Sequence, residues 1–133
     1  MKIFKFAENK LSLQMNIEKF REYCLSLPYV TEDFPFDDDL LTFRVGNKIF
    51  ACISMTVNDI ATMKCDPEKA LQLREEYSAI EGAFHWNKKY WNQIRFNEDV
   101  SDSLVFELVK HSYDEVWKKI PKKTKDELLK NVL

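Results

Sequence analysis

The chain has 133 residues with 45% apolar and 32% charged side chains, enough for one hydrophobic core and too few for two domains of ordinary size. A formal net charge of −2 argues against a protein that coats nucleic acid non-specifically over its whole surface, because such proteins need positive charge to release counterions from phosphates. Two glycines, four prolines and no repeat argue for compact elements with few long loops.

Residues 1–14 form an N-terminal extension in which Lys2–Phe6 is expected to make an edge strand or a loose arm, and Met15 is a credible translation start. Glu8, Asn9 and Lys10 break any apolar signal-peptide core there. Residues 15–133 are expected to form a single domain. Met15 to Leu27 reads as a first helix, with Asn16 as N-cap, Ile17, Phe20, Cys24 and Leu27 on one face, and Pro28 at its end. From Thr31 to Cys65 the period changes to two: Leu41, Phe43 and Val45 alternate with Thr42 and Arg44, and Gly46-Asn47 supplies a hairpin turn. Lys48 to Met55 is apolar on both parities, as in a central strand. Ala61, Met63 and Cys65 then alternate with Thr62 and Lys64 to complete an antiparallel meander.

Asp66-Pro67-Glu68 opens a second helix with an N-cap, a proline in the first turn and an acid near the positive dipole end; Ala70, Leu73 and Tyr77 form its buried line. Ala83 to Phe96 reads as another hairpin turning near Asn87-Lys88-Lys89. Ser101 or Asp102 caps a long third helix that Pro121 ends, and Thr124-x-x-Glu127 reads as a capping box for a short last one. Grouped strands predict an α+β fold: an antiparallel sheet with helices on one face and the other face open to water.

Cys24, Cys52 and Cys65 are odd in number and set in apolar runs, which predicts buried, reduced thiols and a cytoplasmic protein. No segment is apolar and long enough to cross a membrane, and no membrane partner is expected. Catalysis has little support. His85 and His111 are far apart, there is no HExxH, CxxC or glycine-rich phosphate loop, and Cys65, although just before a helix, has the parity of a core residue. No nucleophile, base and orienting group can be named together, so neither an enzyme nor a cofactor is expected. Glu32, Asp33, Asp37, Asp38 and Asp39 raise a metal hypothesis, but position 6 counted from Asp37 is Thr42 and position 12 is Lys48, which fails the EF-hand pattern; a solvated turn is the better reading and no metal is expected.

The segment Phe84-His85-Trp86-Asn87-Lys88-Lys89-Tyr90-Trp91-Asn92 carries the functional signal. It interleaves aromatic and basic side chains, and residues 83–97 hold Lys88, Lys89 and Arg95 with no acid. In a strand beginning at Trp91, Trp91, Gln93 and Arg95 share one face with Arg44 and Lys64 of neighbouring strands, while Ile94 and Phe96 point to the core. On one reading Trp91 faces solvent beside three cations as a platform for phosphates and bases; on the other, Trp86 and Trp91 pack under the hairpin and Asn87 and His85 hold its turn. A basic C-terminal segment from Lys118 and an acidic stretch before it add a charge asymmetry.

The same segment, with Leu27-Pro28, Glu32-Asp33-Phe34-Pro35-Phe36 and Met63-Lys64-Cys65-Asp66-Pro67-Glu68, resembles the signature of the MmcQ/YjbR family from about Met15 to Ile120. The resemblance implies a fold similar to CyaY, the bacterial frataxin, a bacterial cytoplasmic protein, and DNA binding through a "double wing" of hairpins. The expected function is therefore a nucleic-acid-binding module in which Arg44, Lys64, Lys88, Lys89 and Arg95 contact phosphates, Trp86 and Trp91 stack or wedge, and His85 and Asn87 lie at the turn. A non-enzymatic module for a protein or a small anion is the alternative, and a frataxin-like metal binder is a weaker one. A monomer or weak dimer is expected, with DNA or an unidentified protein as partner.

Overall fold

A computed structural model describes residues 14–130; the arm or edge strand expected near Lys2–Phe6 lies outside them. The elements run α1 (Ile17–Ser26), β1 (Thr31–Asp33), β2 (Leu40–Val45), β3 (Lys48–Ser54), β4 (Ile60–Lys64), α2 (Pro67–Glu76), β5 (Ile80–Gly82), β6 (Trp91–Arg95), α3 (Asp102–Trp117) and α4 (Lys122–Lys130). The described strands form one antiparallel sheet in the order β1-β2-β3-β4-β6-β5. The expected α+β architecture is present. Both outermost strands are only three residues long, which limits the unpaired edge offered to other chains.

Local chemistry sets the helix starts. Asn16, Asp66 and Ser101 each accept a hydrogen bond from the backbone N–H three residues on, at Lys19, Lys69 and Leu104. Gly46 and Asn47 take positive φ angles of 56° and 67° to close the β2–β3 hairpin. A Cβ at Gly46 would stand 2.6 Å from Ile120 Cδ1, so the turn needs glycine for space as well as for conformation.

Cross-strand pairing assigns the two faces. The row Leu41–Ile53–Ala61–Ile94–Ile80 and the row Phe43–Ala51–Met63–Asn92–Gly82 face the helices. There Phe20 of α1 meets Phe43 at 5.9 Å and Phe96 at 5.7 Å, and Phe50 meets Tyr113 of α3 at 5.6 Å. The opposite face carries the row Thr42–Cys52–Thr62–Gln93–Glu81. It is less open than its polar pattern implied: Thr42 and Cys52 are buried. The connections 34–39 and 83–90 approach each other there, with Phe36 and Trp86 rings 6.4 Å apart. Exposed aromatic residues in two loops, invisible to strand parity, make this partial roof.

Three boundaries differ from expectation. The hairpin expected over Ala83–Phe96 instead pairs β5 with β6, and residues 83–90 are the connection. The aromatic residues of that stretch have a strand-like composition, but residues 83–90 pair with no strand and are held instead by local turns. α3 ends at Trp117, with single turns through Ile120. α4 begins at Lys122 with Lys125 N–H donating to the Pro121 carbonyl, which leaves Thr124 inside the helix and the expected capping box unused.

All three cysteines are free and buried. Burial pushes the Cys52 thiol up to about 12 and the Cys65 thiol up to about 11, which holds both as thiols. Among the described residues no helix is long and apolar enough to cross a membrane.

His111 on α3 accepts a hydrogen bond through Nε2 from the Asp66 backbone N–H at the start of α2, 3.1 Å away. Burial, then the nearby Lys69 ammonium, hold its pKa below the ordinary imidazole value. Its neutral form is therefore the folded-state form. That contribution is complete above the unfolded-state pKa of about 6.5 and is lost as pH falls through the lower folded value. His111→Gln should flatten the loss of urea-unfolding stability between about pH 8 and about pH 5; an unchanged pH slope would remove His111 from the balance.

Candidate nucleic-acid interface

The 83–90 connection is fixed at several points. Ala83 N–H donates to the Trp91 carbonyl (3.0 Å), and Tyr90 N–H donates to the Asn87 carbonyl (3.0 Å). The Asn87 side chain accepts from Lys89 N–H (3.0 Å), so Asn87 holds the turn as its residue type implied. The Tyr90 carbonyl accepts from Cys65 N–H at 2.7 Å, which ties the connection to the end of β4.

Arg74 of α2 anchors it from the other side. Its Nε donates to Asn92 Oδ1 at 2.7 Å, and its Nη2 donates to the Lys88 carbonyl and, at 3.4 Å, to that of Trp91. Asn92, 2% exposed among apolar neighbours, passes its own N–H to the Ala70 carbonyl at 3.3 Å. Gly82 permits the close approach: a Cβ there would meet Lys88 Cγ at 3.1 Å.

This framework resolves the two readings of the tryptophans. Trp91 is only 8% exposed and lies 4.4 Å from Trp86, centroid to centroid, so the pair packs on itself over the sheet. Trp86 remains half-buried, and it reaches Phe36 as well. His85 is exposed and meets only the edge of Phe84, at 4.9 Å; the described hydrogen bonds of this turn do not involve it.

The cations divide into two groups. Arg44 donates to Asp33 (3.0 Å) and to the Asn47 carbonyl, and Arg95 pairs with Glu81 at 3.3 Å. Both are thus partly neutralised on the sheet face. Lys64, Lys88 and Lys89 form no ion pair among the described residues, and neither do Lys48 and Lys119. Lys64, Lys89 and Lys119 converge on one ring: their Nζ atoms stand 5.2, 5.4 and 5.8 Å from the Tyr90 centroid. Lys64 also stands 5.2 Å from the Trp91 centroid. Burial and then the like charge of Lys119 lower the Lys64 pKa. Lys88 lies over Phe84 at 5.7 Å.

A groove of about 370 Å³ opens beside this cluster, lined by Arg44, Lys48, Ile49, Lys64, Trp91 and Lys119 among others. Its one acid, Glu115, is held by Lys118 at 2.6 Å. A groove with four cations, an aromatic wall and an acid already paired suits an anion.

Sequence reasoning missed Tyr90, Lys119, Lys48 and Arg74. Lys119 looked like a solvated helix-end lysine, and only the approach of the end of α3 to the end of β4 gives it a role. The adjacency of Tyr90 to Lys89 was visible; its contact with Lys64 was not. The acidic loop does no comparable work. Asp33 binds Thr42 and Arg44, Asp37 caps Asp39 and Leu40, and Asp39 binds Ser54 and Thr56. No cluster of three metal-ligating side chains occurs among the described residues. Cys65 faces the core, and His85 lies on the exposed connection.

Arg74→Ala removes the donor to Asn92 Oδ1 and to two carbonyls. It should cost about 1–3 kcal/mol in chemical denaturation and increase amide exchange at residues 84–90. Exchange unchanged in that segment would show that the tryptophan pair alone fixes it.

The comparisons with known proteins bear on the family and the fold. The YjbR family model matches residues 25–115. The chain is 31% identical over 98 residues to the uncharacterized protein YbdF of Escherichia coli O157:H7, covering 73% of this chain and 80% of that one. It is 27% identical over 108 residues to the uncharacterized protein YjbR of Escherichia coli strain K12, covering 80% and 92% respectively. The crystal structure of Deinococcus radiodurans protein DR2400, a DUF419 domain, superposes with a TM-score of 0.78 at 33% identity over 87% of this chain and 88% of that one. A Pseudomonas syringae protein shares the fold at a TM-score of 0.64 and 22% identity, over 76% of this chain and 98% of that one. The match covers the sheet from β1 to β6, α2 and most of α3, and the chain belongs to the YjbR family.

Proposed function

We propose that this chain is a non-enzymatic nucleic-acid-binding module whose phosphate contacts come from the lysines around Tyr90. The observation that carries the reading is the convergence of Lys64, Lys89 and Lys119 on that one ring beside the Lys48-bearing groove. Burial first, and then the like charge of Lys119, lower the Lys64 pKa, so the two ammonium groups sit together at some cost. A phosphate entering the groove relieves it. Phosphate contacts dominate the affinity of such proteins and are independent of sequence.

Several features support a local patch in a chain whose net charge is −2. Glu115, whose charge also favours the Lys64 ammonium, pairs with Lys118, and Glu81 pairs with Arg95 and accepts from Gln93. The aromatic surface beside the lysines suits stacking more than chemistry. The family's proposed double-wing DNA binding points the same way, and its likeness to frataxin and a cytoplasmic setting belong to the same proposal. The small-anion alternative shares the groove and is separated from this reading by length: Lys88 and Lys89 do not line the groove, so an anion confined to it makes no direct contact with them.

The test is fluorescence anisotropy of a labelled oligonucleotide titrated with the protein at several salt concentrations. Lys64→Gln with Lys119→Gln should weaken binding to every sequence alike and reduce the slope of log K against log salt by about 1.5. Lys88→Ala with Lys89→Ala should act in the same direction. An unchanged slope in both variants would remove these lysines from the interface.

A further inference from the structure

Beside the lysine groove lies a second concavity with different chemistry. Phe36, Leu40, Thr62, Phe84, Trp86 and Gln93 line most of a groove of about 440 Å³ on the helix-free face of the sheet. Two of its walls, Phe84 at 74% and Phe36 at 63%, are the most exposed large apolar side chains among the described residues. Aromatic rings held open to water around a concavity are a feature of binding surfaces.

The polar groups in this groove are few and oriented. Gln93 Nε2 donates to Glu81 Oε1 at 2.6 Å, and its Oε1 accepts from Phe84 N–H at 3.3 Å. An amide has two N–H donors and two acceptor lone pairs, so one of each remains for a ligand, at a fixed angle. A free donor and acceptor side by side complement the edge of a nucleobase.

The two grooves share a wall. Trp91 lines the lysine groove, Trp86 lines the aromatic one, and their rings are 4.4 Å apart. A ligand that crosses this pair must offer a flat π system on one side and negative charge on the other. A nucleotide unit has that composition.

Resting on the nucleic-acid reading, we propose that the aromatic groove takes an unpaired base, and that the preferred ligand is a single strand whose phosphates continue into the Lys64–Lys119 groove. A duplex keeps its base faces inside the stack, where rings lining a groove cannot meet them. The 83–90 connection is also bound to α2 through Arg74 and bent onto Trp91, so it forms a wall of the groove. Charge complementarity selects this occupant over an apolar peptide: the free cations adjoin the groove on its Trp91 side, and Lys88 lies over Phe84 on its rim.

The test compares the full chain's binding to an oligothymidylate, to an abasic strand of equal length, and to a duplex of equal length, by anisotropy and tryptophan fluorescence at low salt. Oligothymidylate should bind more tightly than both and quench tryptophan emission. Phe84→Ala and Phe36→Ala, exposed positions whose loss spares the core, should each weaken it about 5- to 100-fold while leaving the abasic strand unchanged. Equal binding of the oligothymidylate and abasic strands, without quenching, would overturn the base site and leave the lysine reading standing. Tighter binding of the duplex would overturn the single-strand preference. Failure of all three to bind would overturn both readings.

Discussion

A buried amide organises one end of this fold. Asn92 sits in a core row of the sheet, where an unpaired polar side chain would carry a desolvation cost of about 1–3 kcal/mol. Arg74 and the Ala70 carbonyl satisfy it, and the same guanidinium reaches the Lys88 and Trp91 carbonyls. One demand of the core therefore fixes an exposed loop. With residues 83–90 held, Trp86 lies on Trp91, Asn87 turns the chain, and Tyr90 is presented at the end of β4. A surface held in this way loses little conformational freedom on binding, which removes a main cost of association.

The charges follow a related division of labour. Acidic side chains serve mainly as caps and partners: Asp99 binds the Ser78 and Ala79 amides, Asp66 caps α2, and Asp33 holds Arg44. The arginines around the site are correspondingly committed to structure. Lysines are left, and their compact ammonium groups suit phosphate as point charges without demanding one geometry. The chain can therefore be acidic in total and basic at one place. The net charge of −2 limited what the protein could do everywhere and said little about what it could do locally.

Much of the fold was legible because its signals are local. Asn16, Asp66-Pro67 and Ser101 are short-range helix starts, Gly46-Asn47 is a short-range turn, and the change of period after Pro28 separates α1 from the meander. β5 was not legible, since Ile80-Glu81-Gly82 is too short to establish an alternation and owes its state to pairing with β6. The site divides in the same way. The sequence put Trp86, Asn87, Lys88, Lys89 and Trp91 in one segment, and parity put Lys64 and Arg95 on the matching face. Lys119, Arg74 and Phe36 come from three other elements, and only the tertiary contacts bring them there. The burial of Trp91 was one of two readings that residue type alone could not separate.

The crowding of three ammonium groups about the Tyr90 ring has a practical corollary. The ring face offers attraction, yet mutual repulsion among the cations remains, and any small anion in the solvent can lower it. Under the proposed phosphate reading, the solvent anion competes for the groove as well as screening it. Under the same proposal, phosphate and chloride buffers of equal ionic strength would present two differently occupied surfaces, and an affinity would be defined only together with the anion displaced.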